Sequence, residues 1–373
     1  MKIGMTCYPT YGGSGVVATE LGKALAERGH SIHFISYAIP MRLQAFSGNI
    51  MYHEVETSNY PLFDFPLYTL ALASKMVEVA KYEQIDIFHC HYAIPHATSA
   101  YLAKQMLERT KLKVITTLHG TDITLVGLEP SFLPAIKFSI EKSDGVTAVS
   151  RFLREKTLTH FGIEKEIEVI PNFVDVKKYR RVNASSVRNQ WAPANEKILM
   201  HTSNFRPVKR VQDVIRIFSE VQKKLPGKLI LIGDGPDRSL CELLCRELGI
   251  HEHVKFLGKQ AEIVDLLSAA DLFLMPSQSE SFGLSALEAM ACGVPVVSSS
   301  VGGLPELNIH NQTGFIAEIG DVERMSRYAI DLLTNPTKHK TFSEAARKRA
   351  AEFNQDKIVT LYERYYQKVL ERV

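Results

Sequence analysis

Apolar residues fall along this chain in short stretches, and most stretches end in small or polar residues. In the first half these are KIGMTCY at 2–8, IHFISY at 32–37, DIFHCH at 86–91, VITTL at 114–118, GVTAV at 145–149 and IEVI at 167–170. In the second half they are ILMH at 198–201, KLILI at 228–232, VKFLG at 254–258, LFLM at 272–275 and VPVV at 294–297. Runs without apolar/polar alternation predict strands buried on both faces of a parallel sheet. Amphipathic stretches lie between them. Val16 to Arg28 reads as a helix stopped by Gly29, and Leu284 to Cys292 as one stopped by Gly293 and Pro295. A last helix, Asp356 to Val373, carries Ile358, Leu361, Tyr365 and Val369 at helical spacing. Strands alternating with helices make this an α/β chain.

Length sets the number of domains. A chain of 373 residues suggests two. The basic, irregular stretch Lys177 to Lys197 reads as the crossing between them. The boundaries drawn are 1–170, 171–355 and a final helix 356–373. Hydrophobic residues at 45% and charged residues at 23% are the balance of a globular protein with a proper core. A formal charge of +3 is too small to argue for nucleic acid. No apolar run approaches transmembrane length, so stable membrane insertion is not expected. Met1-Lys2-Ile3-Gly4 leads straight into a strand, and no signal peptide is expected. Five cysteines, odd in number and scattered, argue against a disulfide framework and for a reducing cytoplasm. Cys241 and Cys245 share a helix face with leucines and read as core.

The candidate chemistry centres on DLFLMPSQSESFGLSALE at 271–288. A polar loop, Ser277 to Gly283, follows a buried strand, at the sheet edge where open α/β folds bind ligands. The helix start at Gly283-Leu284 offers free N–H groups and a positive dipole end, a seat for phosphate. Glu280 and Glu288 flank that seat. Glu288 lies among Leu287, Ala289 and Met290, where a lone carboxylate is costly unless partnered. A carboxylate only accepts hydrogen bonds, so hydroxyls are its natural partners here. A ligand with hydroxyls on both sides of a phosphate has the shape of a nucleotide-sugar.

Other strand ends add polar groups. Gly12-Gly13-Ser14-Gly15 follows the first strand and suggests close backbone approach to a ligand. Its spacing is not G-x-G-x-x-G, and no acid ends the second strand, which argues against a dinucleotide site. His89 and His91 lack a third metal ligand at useful spacing and read as a polar edge that Tyr92 and His96 extend. His119-Gly120-Thr121-Asp122 closes another strand. Ser150 is placed to cap a helix whose first turn carries Arg151 and Arg154, cations that oppose the dipole and suit an anion. Arg206 and Lys209 repeat that pattern at a later helix start. No Asp-x-Asp stands at a strand end to hold Mg²⁺, and two fixed cations can neutralise a diphosphate instead, so no metal and no cofactor is expected.

The stretch from Glu280 through Phe282-Gly283 and Glu288 to ACGVPVV at 291–297 resembles the signature of retaining glycosyltransferases with the GT-B fold, the family that includes sucrose and glycogen synthases. The resemblance covers the whole chain. It implies two Rossmann-like domains facing each other across a deep cleft, the first for the acceptor and the second for the nucleotide-sugar, with the last helix crossing back to the first. It makes Glu280, His119, Arg206 and Lys209 the catalytic group. Glu280 would approach the donor sugar, His119 the reacting carbon, and Arg206 and Lys209 the diphosphate. Donor contacts would come from Gly13, Ser14, Asn204, Gly233, Gln260, Ser281, Phe282, Gly283, Leu284 and, at the ribose, Glu288. In the first half, MTCYPTYGGSG at 5–15 and HCHYAIPH at 89–96 narrow the resemblance to a bacterial branch serving bacillithiol synthesis. That branch implies UDP-N-acetylglucosamine as donor and L-malate as acceptor. Two malate carboxylates call for cations and N–H donors, and Ser14, Tyr92, Thr121, Arg151 and Arg154 are the candidates. A homo-oligomer, another acceptor (a lipid or a sugar) and a UDP-N-acetylglucosamine epimerase stay open.

Overall fold

The structure, a computed structural model, describes residues 1–10, 12–43, 48–57, 67–107, 111–124, 126–194 and 196–372. Tyr11 of the 5–15 motif lies outside the described residues. The chain divides into two compact units, Met1–Asn172 with Asp356–Val373, and Phe173–Gln355. Six helices matter below: α1 (Gly13–Glu27), α2 (Tyr68–Glu83), α3 (Arg151–Phe161), α4 (Val211–Gln222), α5 (Leu284–Ala291) and α6 (Gln355–Leu370).

The first unit is built on a sheet with seven strands among the described residues. They are β1 (Lys2–Thr6), β2 (Ser31–Ser36), β3 (Ile50–Glu54), β4 (Ile87–His91), β5 (Lys113–Leu118), β6 (Gly145–Ala148) and β7 (Glu168–Val169). Their order is β3-β2-β1-β4-β5-β6-β7, all parallel. Ile3 lies between Ile32 of β2 and Ile87 of β4, and all three are fully buried. Burying each such side chain contributes about 1.5–3 kcal/mol, which is why the apolar runs are unbroken. The chain moves outward from β1 to β3 and then returns to start β4 beside β1. The point where the order reverses, between β1 and β4, opens a crevice at the strands' C-terminal ends.

The second unit repeats this plan with six strands among the described residues: β8 (Lys197–Thr202), β9 (Gly227–Ile232), β10 (Val254–Gly258), β11 (Leu272–Met275), β12 (Val296–Ser299) and β13 (Gly314–Ala317). Their order is β10-β9-β8-β11-β12-β13, again parallel. The reversal falls between β8 and β11. Among the described residues, no helix is long and apolar enough to cross a membrane.

Three expectations are corrected. Helix α1 begins at Gly13, not Val16, so Gly13, Ser14 and Gly15 form its first turn rather than a loop. A Cβ on Gly15 would meet the Tyr8 carbonyl at 2.4 Å, so the residue is small because α1 packs against the end of β1. In α6, Leu361 is 39% exposed, and the buried face carries Ile358, Val359, Tyr362, Tyr365, Tyr366 and Val369. The period of 3.6 allowed either of two adjacent positions, and Tyr362 takes the inner one. The stretch 177–197, expected to be irregular, holds a helix at Ser185–Trp191.

Candidate active site

The loops after β8 and β11 meet at the reversal in the second unit. Lys209 Nζ lies 2.6 Å from Glu280 Oε1, and the Ser277 hydroxyl donates to the same oxygen at 2.9 Å. Glu280 is buried, so its charge is held by a fixed partner in a poorly hydrated place. The backbone holds the two loops together, because Gln278 N–H donates to Val208 C=O at 2.8 Å. A third loop supports them from below. Gly303 N–H donates to Glu280 C=O at 3.0 Å. Gly302 has φ +58°, and a Cβ there would lie 1.8 Å from that same carbonyl oxygen. Ser299 Oγ adds a hydrogen bond to Ser277 C=O.

Helix α5 starts beside this cluster. Gly283 caps it in the left-handed region, φ +99°, where L side chains are strained. The first turn of α5 leaves backbone N–H groups without partners inside the helix. Glu288 follows in the second turn and is buried, with 6% of its surface exposed. His201, at the end of β8, bridges the reversal by hydrogen bonds to Leu274 C=O and Ser203 Oγ, each 2.8 Å. Burial pushes its imidazole down to about 4, so it is neutral near pH 7. Gly233, φ +119°, closes on Ser203, and a Cβ there would overlap the Ser203 carbonyl.

Arg206 and Lys209 do not stand in the first turn of a helix, as the sequence suggested. They flank and end a 3₁₀ turn, Pro207–Lys209, because Arg210 takes a left-handed conformation and α4 starts only at Val211. Lys209 pairs with Glu280 of the chain itself, while Arg206 is exposed. Asn204 is exposed and Ser281 half-buried. The Phe282 ring is buried against Phe353, centroids 5.5 Å apart. Gln260 is exposed, and its side-chain amide donates to Leu257 C=O.

In the first unit a polar group lies at the matching reversal. Tyr92 OH donates to Ser14 Oγ at 2.9 Å, joining the end of β4 to the first turn of α1. Tyr92 has φ +100°, a strained value for a bulky residue and a mark of functional sites. His91 Nδ1 and His119 Nε2 share a hydrogen bond of 2.8 Å. His89 bonds Thr117 Oγ1 at 2.7 Å and Tyr366 OH at 2.8 Å, and His96 Nδ1–H donates to His91 C=O. The sequence places these histidines on a polar edge, but His89, His91 and His96 are fully buried, because β4 lies inside the sheet and α6 covers it. Burial pushes His119 and His89 down to about 3 and His96 to about 4. Asp122 accepts from Gly120 N–H at 2.9 Å and Ala93 N–H at 3.2 Å, and burial raises its carboxyl to about 6 against those bonds. Thr121 is exposed at the start of this turn. Ser150 caps α3 through Leu153 N–H, as expected. Arg151 is exposed on the first turn, and Arg154 pairs with its neighbour Glu155 at 2.6 Å.

The sequence reading assigned no individual role to Ser277, Gln278 or His201. A polar residue at each strand end was the available signal for all three.

A parallel sheet in each unit, each with polar loops at its reversal, is the architecture of a GT-B enzyme. Residues 185–349 match the family model of glycosyl transferases group 1, and residues 11–178 match that of glycosyltransferase family 4. The chain belongs to the GT-B glycosyltransferases. One relative, N-acetyl-alpha-D-glucosaminyl L-malate synthase of Bacillus anthracis, is 49% identical over 372 residues, spanning 99% of this chain and 97% of the relative. Sucrose-phosphate synthase of Thermosynechococcus elongatus shares the fold at TM-score 0.83 and 22% identity over the full length of both chains. HepE of Anabaena, solved in complex with UDP and glucose, shares it at TM-score 0.83 and 21% identity, also over both full lengths.

Proposed function

We propose that this glycosyltransferase moves N-acetylglucosamine from UDP-N-acetylglucosamine to the hydroxyl of L-malate with retention at the anomeric carbon, the first step of bacillithiol synthesis. The 49% identity to the Bacillus anthracis enzyme of that name, across nearly the whole chain, carries the reading. The second unit's chemistry supports it. The bond from the anomeric carbon to the UDP phosphate breaks, and a bond to the malate oxygen forms on the same face. The leaving phosphate takes the hydroxyl proton. Lys209, Arg206 and the N–H groups at the start of α5 neutralise the departing diphosphate. Glu280, fixed by Lys209 and Ser277, orients the sugar ring, and Glu288 holds the ribose hydroxyls. A second carboxylate across the scissile bond, as in glycosidases, is not part of the reading. His119, held neutral to about pH 3, is too weak a base to take the acceptor proton at pH 7. It acts as a neutral hydrogen-bonding wall. Ser14, Tyr92, Thr121, Arg151 and Arg154 are the candidates for the malate side. No metal takes part in this reading.

The test is UDP release from UDP-N-acetylglucosamine, with and without L-malate, in EDTA, with mass spectrometry of the product. Malate-dependent release with a sugar–malate adduct is expected. Release without malate, or sugar interconversion with donor alone, would replace this reading with hydrolysis or epimerisation. Release with other acceptors only would discard malate.

A further inference from the structure

A group of metal-type ligands lies away from both reversals, at the β3 edge of the first sheet. His33 stands on β2 and His53 on β3. The register places Met51 opposite His33, so His53, two residues on, shares its face. Their facing nitrogens, His33 Nδ1 and His53 Nε2, are 3.0 Å apart. Glu83, the last residue of α2, brings a third ligand, and the three ligand atoms lie within 4.8 Å of one another. A tetrahedral ion with bonds of about 2.0–2.1 Å separates its ligands by roughly 3.3 Å, so the two imidazoles already stand close to the spacing that zinc requires.

From this geometry we infer that His33, His53 and Glu83 form a site for a first-row divalent cation of zinc type, separate from the transferase chemistry. The donor set, two imidazoles and one carboxylate, favours such an ion over Mg²⁺ or Ca²⁺, which prefer oxygen ligands. The second layer fits as well. Ser31 Oγ lies 3.1 Å from His33 Nε2 and accepts that N–H when Nδ1 faces the ion, fixing tautomer and ring orientation. Lys2 Nζ donates to the Glu83 carbonyl at 2.9 Å and anchors the end of α2 without occupying its carboxylate. His33 is buried while His53 and Glu83 are half-buried, so the group is partly open to solvent.

The test uses the full-length, tag-free protein stripped with chelator and titrated with Zn²⁺, and in parallel with Co²⁺, whose visible absorption reports coordination. One equivalent is expected to bind, with a tetrahedral Co²⁺ spectrum. His53→Ala and Glu83→Gln, both at half-exposed positions, are each expected to weaken Zn²⁺ binding at least tenfold without changing the far-ultraviolet circular dichroism. His251→Ala, at an exposed histidine on another element, should leave it unchanged. No binding by the native chain, or equal binding by native and His53→Ala proteins, would overturn the site.

Discussion

Two carboxylates define the second unit at the level of single residues, and their surroundings give them different tasks. Glu280 receives Lys209 and Ser277 on one oxygen, so it is oriented before any ligand arrives. Glu288 is buried on α5, five residues after its left-handed cap, where a ribose would supply neutral donors. Hydrogen bonds to a charged group are worth about 1.5–3 kcal/mol each. Glu288→Ala should therefore weaken UDP binding roughly ten- to a hundredfold, read by calorimetric titration, with the far-ultraviolet spectrum unchanged. Equal UDP affinity in the two proteins would remove Glu288 from the ribose. Both acids were legible in the sequence, because a Glu in a strand-end loop and a Glu among apolar helical residues stand out locally. Their partners were not. Lys209 and Glu280 lie 71 positions apart, and only the packing of the loops after β8 and β11 brings them together. His33, His53 and Glu83 were missed for the same reason. Their spacing matches no motif, and strand register alone aligns the two histidines.

Loops and helices show which parts of a motif are structural. The pair Gly302-Gly303 forms the floor beneath Glu280. Alanine at Gly302 must adopt a left-handed conformation, at about 1–2 kcal/mol, and must also push its Cβ against the Glu280 carbonyl, 1.8 Å away. Backbone cannot yield as a flexible side chain does. Gly249 provides the contrast, since it shares the left-handed conformation, φ +68°, with nothing within 4 Å of a Cβ. Gly302→Ala should lose at least tenfold in UDP affinity while Gly249→Ala keeps it. Equal affinity in the two variants would mean that the floor does not set the position of Glu280. At this scale the strands were the most legible elements, since each is an apolar run. Helix ends were less so. The glycines of α1 hid its first turn, and Arg210, left-handed without being glycine, moved the start of α4 past Lys209.

Across the whole molecule, the two units share a sheet plan but differ in how they respond to acid. The first buries His89, His91, His96 and His119, and the second buries His201. Burial lowers all five, His201 to about 4. A histidine whose folded value lies below its unfolded value, near 6.5, leaves the native state short of a proton. Unfolding then takes protons up, so the stability is complete above pH 6.5 and falls as pH drops below it. Each such group costs up to about 1.4 kcal/mol per pH unit in that window. Asp122 acts in the opposite sense. Its folded value is raised from 3.8 to about 6, so its penalty is largest above pH 6 and fades toward pH 4. It offsets about one of the four histidines in the first unit. In the metal-free chain His33 and His53, both lowered by burial, add to the loss. Between pH 6.5 and 5 the first unit should therefore lose stability several times more steeply than the second. Trp191, the sole tryptophan, lies in the second unit and reports on it by fluorescence. Hydrogen exchange followed by mass spectrometry reports on β4, β5 and α6. As pH falls, exchange in these elements should rise before the Trp191 emission shifts. If Trp191 changes first, or both change together at every pH, the buried histidines do not set the acid limit of the first unit.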